Sequence, residues 1–506
     1  MKVLLVTGKL AAPILHRVVK ELPPTVKSDI LVLDYPIAAL MSVRYILEKL
    51  KNKENIKEYD YIILPGLVYG DATEIEEKLK VKVVKGTEEA YDLPLVIDAL
   101  IKGVELSKTD PADKILGKLK SMKISEKLLR IERSAKYAFE VNGLKIPLVP
   151  PPFRIFLELD YKWDQDRIIE EAKRVKKYVD VIVASFPVGH NDVDEVKRKI
   201  KILIDQGFNV GIDSESSKEI IEGVRSGASF VFNLNEENIE KLLEIKNDAA
   251  FILAPYNPEK SDELIQKIYE RARGLGYEKI IVDPILSPPL KGLTNSILQY
   301  LRLRKIIRDA PFMMGALNVT ELIDADSIGI NSLIVTIAGE IGVSNILTME
   351  KGKTRWSSWE IKKAAEMISI AIFENKFPKD LGVDLLYLKD KGKRMKESEI
   401  DINGNVEYVN NYVPPSMDKG FVKIFLKDKK ICIKWFGKDE LTVIGNDALS
   451  VGRTLIRRVG DISREHALYI GYELAKAEIA LKLDKEYVQD RPLFKSREEF
   501  DESSNT

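Results

Sequence analysis

The chain has one cysteine, Cys432, in 506 residues. That excludes an intramolecular disulfide and any thiolate-rich zinc or iron–sulfur site within one chain, and its setting in KICIKW reads as a small core residue. There is no excess of charge of either sign, with 79 acidic and 79 basic residues, which argues against a nucleic-acid footprint or a polybasic membrane anchor. No apolar run approaches the length of a membrane span, and the opening MKVLLVTGKLAAP reads as a strand rather than a signal peptide. A cytoplasmic enzyme-sized protein is expected, with neither nucleic acid nor membrane as partner.

Punctuation divides the chain into three domains and a tail: 1–148, 149–376, 377–495 and a polar, disordered 496–506. In the first, KVLLVTG, DILVLDYP, YDYIILPG and VKVVKGT alternate with helical patterns, which predicts an open, Rossmann-like parallel sheet flanked by helices. Its strands end at Gly8, Asp34, Pro65 with Gly66, and Gly86 with Thr87, the edge over which a ligand of such a sheet would lie. TGKLAAP lacks the spacing of a P-loop or of GxGxxG. His16 has apolar neighbours Leu15, Val18 and Val19, and reads as packing.

The proline break VPPPF (149 to 153) stops any helix. From 154 to 350 eight apolar runs alternate with amphipathic helical patterns, the length and rhythm of a closed (β/α)8 TIM barrel, with an open parallel sheet as the alternative. Four runs end in polar residues: NVGIDSES, SFVFNL, KIIVDP and FMMGALN place Asp213, Asn233, Asp283 and Asn318 at carboxyl ends, where barrel loops converge over one mouth. Two carboxylates and two amides in one cavity suit a planar, nitrogen-rich heterocycle. Each of the four also has an ordinary explanation as a helix cap.

In order, IDSES, FNL, IIVDP and MMGALN resemble the pterin-binding barrels, the superfamily of dihydropteroate synthases and of methyltransferases that use methyltetrahydrofolate. Across its length the chain resembles the archaeal dihydropteroate synthase-like proteins. The resemblance implies pterin binding by Asp213, Asn233, Asp283 and Asn318, with Asp213 and Asn318 as the catalytic pair. It implies condensation of a 6-hydroxymethyl-dihydropterin diphosphate with an arylamine in folate or tetrahydromethanopterin biosynthesis, magnesium assisting the leaving group, and a homo-oligomer. A pterin offers an exocyclic amine and a ring N–H on one edge, so a carboxylate such as Asp283 can accept both.

The departures from that pattern are specific. Where dihydropteroate synthases carry an asparagine loop after strand one, this chain has FLELDYKW with Glu158 and Asp160. Their SRK element is replaced by GALNVTE, with Asn318 and Val319, and no Arg-x-His closes strand eight. Lys351, Lys353 and Arg355 follow strand eight and are the candidate phosphate-binding cluster, or else a solvated loop. GALNV and IDS also resemble methyltransferase elements, on which reading Asn318 approaches the pterin N5 and a corrinoid protein takes the methyl group. A noncatalytic pterin-binding subunit is the third alternative.

The last domain is expected to be α+β: KGFVKIFLKDKKICIKWF alternates like a hairpin, and SREHALYIGYELAKAEIALKL is helical. The segment from His466 to Leu493 is similar to a module of the A subunit of the methanopterin methyltransferase of methanogens. His466 and Tyr469 read as local packing or capping.

Overall fold

The computed structural model describes residues 1–51, 53–256, 261–379, 381–388 and 420–494. It comprises two compact units, Met1–Met395 and Lys396–Thr506. The expected tail, 496–506, lies outside the described residues. Among the described residues no helix is long and apolar enough to cross a membrane.

The first unit begins with four parallel strands, β1 (Lys2–Thr7), β2 (Lys27–Val32), β3 (Tyr61–Leu64) and β4 (Lys82–Lys85), in the order β2-β1-β3-β4. Period-two alternation gives the sheet two apolar faces: Leu4, Val6, Ile62 and Val83 pack with Ile46 and Leu50, while Val3, Leu5, Ile63 and Val84 pack with Leu15, Val96 and Ile97. This is the open α/β arrangement expected. His16, however, is exposed on helix Ala12–Val18, so it does not pack as expected.

A hairpin of β5 (Tyr137–Val141) and β6 (Leu144–Pro147) follows. Its turn, Asn142–Gly143, has both residues at positive φ, 46° and 77°, as a two-residue hairpin turn requires. Val141 and Ile146 pack into the same core as the inward-facing barrel residues, so this hairpin belongs physically with the barrel although it precedes residue 149.

The barrel strands are β7 (Arg154–Leu159), β8 (Val181–Ser185), β9 (Asn209–Asp213), β10 (Phe230–Leu234), β11 (Ala250–Leu253), β12 (Ile280–Val282), β13 (Met313–Gly315) and β14 (Asn345–Met349). All pair in parallel in the order β12-β11-β10-β9-β8-β7-β14-β13. A Val282–Phe312 bridge, with Val282 N–H donating to the Pro311 carbonyl at 2.9 Å, closes the ring. Buried on both faces, these strands are continuous apolar runs, as parallel strands under helices must be. Phe156, Val181, Val183, Phe230, Phe232, Ile252, Ile281 and Met313 fill the interior, and the alternate residues pack outward under the helices. Gly211 makes room for that interior: a Cβ there would stand 3.2 Å from both the Phe232 ring and Val183.

One connection departs from the expected strand-helix rhythm. Between β10 and β11 the only helical piece is a single 3-10 turn, Leu243–Ile245. Asn235 and Asn238 use their side chains on nearby backbone groups, the local competition that disfavours helix.

The second unit contains β15 (Phe421–Lys427), β16 (Lys430–Phe436) and β17 (Leu441–Gly445), an antiparallel sheet carrying helices Ala448–Val459 and Arg464–Leu483. Asp428 and Lys429, both at positive φ, make the β15–β16 turn. Cys432 is buried in the sheet. The His466 ring lies 5.7 Å from that of Trp435, and its backbone N–H is capped by Ser463 at 3.1 Å.

Candidate functional site at the barrel mouth

On four of the barrel strands the last inward-facing position is polar. Beyond Phe156 on β7 comes Glu158; beyond Val183 on β8 comes Ser185; beyond Gly211 on β9 comes Asp213; beyond Ile281 on β12 comes Asp283. The alternation that builds the apolar plug therefore also sets a polar layer over it. None of the four sequence-predicted residues caps the helix after its strand. After β9 the cap is Ser216, which accepts from the Glu219 N–H at 3.4 Å, and the helices after β12 and β13 start at Gly292, Ala316 and Asp326 with no side-chain cap hydrogen bond.

Glu158 and Asp213 form the electrostatic centre of this layer. Burial, reinforced by the Asp213 charge, pushes the Glu158 carboxyl up to about 8, against the lowering effect of a Ser185 hydrogen bond. Burial, with Glu215 nearby, pushes Asp213 up to about 7. At neutral pH Glu158 therefore keeps its proton while Asp213 is near the midpoint of its titration, so one can donate where the other accepts. Glu158 is a site residue that strand-end reasoning passed over, although its place between Leu157 and Leu159 marks it as inward-facing.

Asp283 is oriented by the protein. Its Oδ1 accepts from the Tyr300 hydroxyl at 2.7 Å and from Ile285 N–H at 2.8 Å. Tyr300 is fully buried, and burial followed by the Asp283 charge holds its hydroxyl well above the ordinary range, so it remains a donor. Asn318, in the short helix Leu317–Thr320, donates through Nδ2 to the Leu286 carbonyl at 2.8 Å, which ties the loops after β12 and β13 together. Asn233 lies where the β10–β11 register shifts between Phe232 and Leu234, and its carbonyl accepts from Asn238 at 2.8 Å.

The three predicted cations part company. Lys351 pairs with Asp160 at 3.0 Å, and Arg355 reaches Glu171 at 3.6 Å. Lys353 instead donates to the Ile323 carbonyl and to Asp324 at 2.9 Å. For Asp160, burial raises the carboxyl but is outweighed by the Lys162 N–H and the Lys351 ammonium, which together hold it below its usual range. A cavity of about 350 Å³ lies between the loops after β7 and β14. Lys162, Arg167, Arg174, Lys351 and Arg355 line it against three carboxylates, Asp160, Glu171 and Glu350, leaving a cationic surplus. Arg174 binds Glu171 at 2.5 Å and also Glu350, and its Nη1 is buried without a hydrogen-bond partner among the described residues. Arg167 and Arg174 stack over Trp163 and Trp356, both at 4.9 Å.

An uncharacterized protein of Methanocaldococcus jannaschii, MJ0107, is 31% identical over 527 aligned residues, covering 98% of this chain and 99% of that protein. The chain belongs to the MJ0107 family. A model described as PterinBD-DUF4346 matches residues 417–490, the second unit rather than the barrel, and a family of unknown function (DUF6513) matches residues 1–88. Solved structures similar to this MJ0107-family chain include Yersinia pestis dihydropteroate synthase with a pterine-sulfa conjugate, 15% identical over 46% of this chain and 99% of that one, TM-score 0.38. The Vibrio fischeri 7,8-dihydropteroate synthase is 14% identical over 46% and 98%, TM-score 0.37. At scores this low the barrel is established by its own strand pairing.

Proposed function

We propose that this protein binds a reduced pterin at the barrel mouth and acts there as a transferase, condensing a 6-hydroxymethyl-dihydropterin diphosphate with an arylamine on the way to a folate- or methanopterin-type carrier. The observation that carries this reading is the inward-facing polar layer of Asp213 and Asp283, with Asn233 on the neighbouring β10 and Asn318 in the short helix after β13, and none of the four spent on helix capping. Asp283 would accept the pterin's amine and ring N–H, and Asn233 would meet an edge that alternates donor and acceptor. In the reaction the methylene C–O bond breaks, the C–N bond forms, diphosphate leaves and the amine's proton passes to the Glu158–Asp213 pair. Asp213, titrating near 7, suits that uptake. Positioning and charge stabilisation supply the rate without a protein nucleophile.

The cationic cavity supports a place for the diphosphate beside the pterin. Among the described residues no cluster of three metal-ligating side chains is found, and the cavity carboxylates are engaged by Lys351 and Arg174. Magnesium fits this arrangement as an ion carried in by the diphosphate, the way it commonly binds phosphates with few protein ligands. Replacing Lys351 and Arg355 together with Gln should weaken a pterin diphosphate about tenfold more than the pterin alcohol, and less so in high salt. Lys353→Gln should do neither, and calorimetry with both ligands reads the difference.

One observation favours a second reading, methyl transfer from a methylpterin to a corrinoid protein. The methyl–N5 bond would break with its electron pair left on N5, and Glu158, protonated at neutral pH, would supply the proton N5 then needs. Incubating the purified chain with pterin diphosphate, magnesium and an arylamine should yield a condensed pterin and diphosphate. Demethylation of a methyltetrahydropterin in the presence of a cob(I)amide, with no condensed product from any arylamine, would overturn the first reading in favour of the second.

A further inference from the structure

Beside Asp213 the loops after β8 and β9 are joined by a chain of charged hydrogen bonds that the reaction above does not use. The Phe186 N–H donates to the Asp213 carbonyl at 2.9 Å. The next residue, Ser214, donates through Oγ at 2.6 Å to Glu219, whose side chain is fully buried. Glu219 also accepts from the Asp192 N–H at 3.1 Å and meets His190 Nδ1 at 2.6 Å, while His190 Nε2 lies 3.1 Å from Glu195. Both imidazole nitrogens thus face carboxylates, an arrangement that two N–H donors satisfy and that favours the imidazolium. Burial alone would lower its pKa; the hydrogen bonds to Glu195 and Glu219 outweigh it and raise it. Glu195 is itself paired with Lys199 at 2.9 Å, and the Phe186 ring lies 5.1 Å from the imidazole.

We infer that His190 is a positioning residue for Asp213: its imidazolium, through Glu219 and Ser214, fixes the β9 loop in the conformation that presents the Asp213 carboxyl to the ligand. Loss of the proton leaves a buried Glu219 facing an imidazole that cannot satisfy both carboxylates, and the loop loosens. This rests on the reading of Asp213 as a pterin-binding group, and it makes ligand affinity fall as pH rises through the raised pKa of His190. That direction is opposite to the gain expected from ionising Asp213 itself.

The sequence contains three histidines, so the full chain labelled with ¹⁵N-histidine gives a resolvable titration. The expected result is one ring still an imidazolium at pH 7.5, absent from His190→Gln. A neutral ring at that pH would overturn the inference. The Asp213 carboxyl ¹³C signal, assigned by its loss in Asp213→Asn, should shift its titration in His190→Gln without any ligand present; an unchanged titration would also overturn it. With 6-hydroxymethyl-7,8-dihydropterin as probe, His190→Gln should bind at least tenfold more weakly and lack the alkaline decline of the wild type. A variant that melts earlier yet binds with wild-type affinity and pH profile would make His190 merely structural and sink the proposal. If the wild type binds no pterin, the proposed function fails, whereas the two ligand-free titrations still decide the His190 coupling.

Discussion

Glu158→Gln is expected to make the first unit more stable at pH 8.5 while leaving it nearly unchanged at pH 5. The native carboxyl titrates near 8 and the unfolded one near its ordinary 4.5. Between those values the native state therefore holds a proton that the unfolded state has lost, and stability declines as pH rises across the window. Glutamine cannot ionise, so the variant escapes the decline. The whole rise would correspond to roughly 5 kcal/mol if all of it came from folding. Solvent at the mouth and the coupling to Asp213 reduce the expected gain to about 2 kcal/mol above pH 8. Urea unfolding followed by the fluorescence of Trp163, Trp356 and Trp359 at the two pH values measures it. Parallel pH profiles for wild type and variant would show that Glu158 is ionised in the folded protein, and would remove the proton donor on which the methyl-transfer reading depends.

Much of the site is visible in the chain because β-strand alternation is a local property. In RIFLEL and NVGID the same period of two that sends Phe156 and Gly211 inward also sends Glu158 and Asp213 inward. Reading only the end of the run finds Asp213 and misses Glu158, one residue short of its strand's end. The Asn142–Gly143 pair was equally readable as a hairpin turn between short apolar runs, and it marks a β-hairpin that a search for strand-helix alternation overlooks. Residues that act across the sequence are not visible in this way. Tyr300 is 17 positions from the Asp283 it orients, and Arg174 is 176 from Glu350. Lys351 and Lys353, two residues apart in an irregular loop, diverge to Asp160 and Asp324 because a 3-10 turn, Gly352–Thr354, rotates the chain between them.

Replacing Asp283 with Asn should weaken pterin binding by about 1.5 to 3 kcal/mol, the range for a charge-assisted hydrogen bond, with the fold intact. Asparagine keeps one oxygen for the Tyr300 hydroxyl and the Ile285 N–H, donors that orient the group. It substitutes an NH₂ for the other, which turns a donor toward the pterin's own amine and N–H. The loss therefore combines a missing acceptor with a donor–donor clash, and should exceed that of Tyr300→Phe, which removes only an orienting bond worth about 1 kcal/mol. The ordering of the two variants carries the information. If Asp283 is a structural partner of Tyr300 and nothing more, Asp283→Asn, which can still accept from Tyr300, should be the milder change. Calorimetric affinities for a dihydropterin, with circular dichroism to show that both variants are folded, distinguish the two orders, and equal affinity of Asp283→Asn and wild type would take Asp283 out of the site.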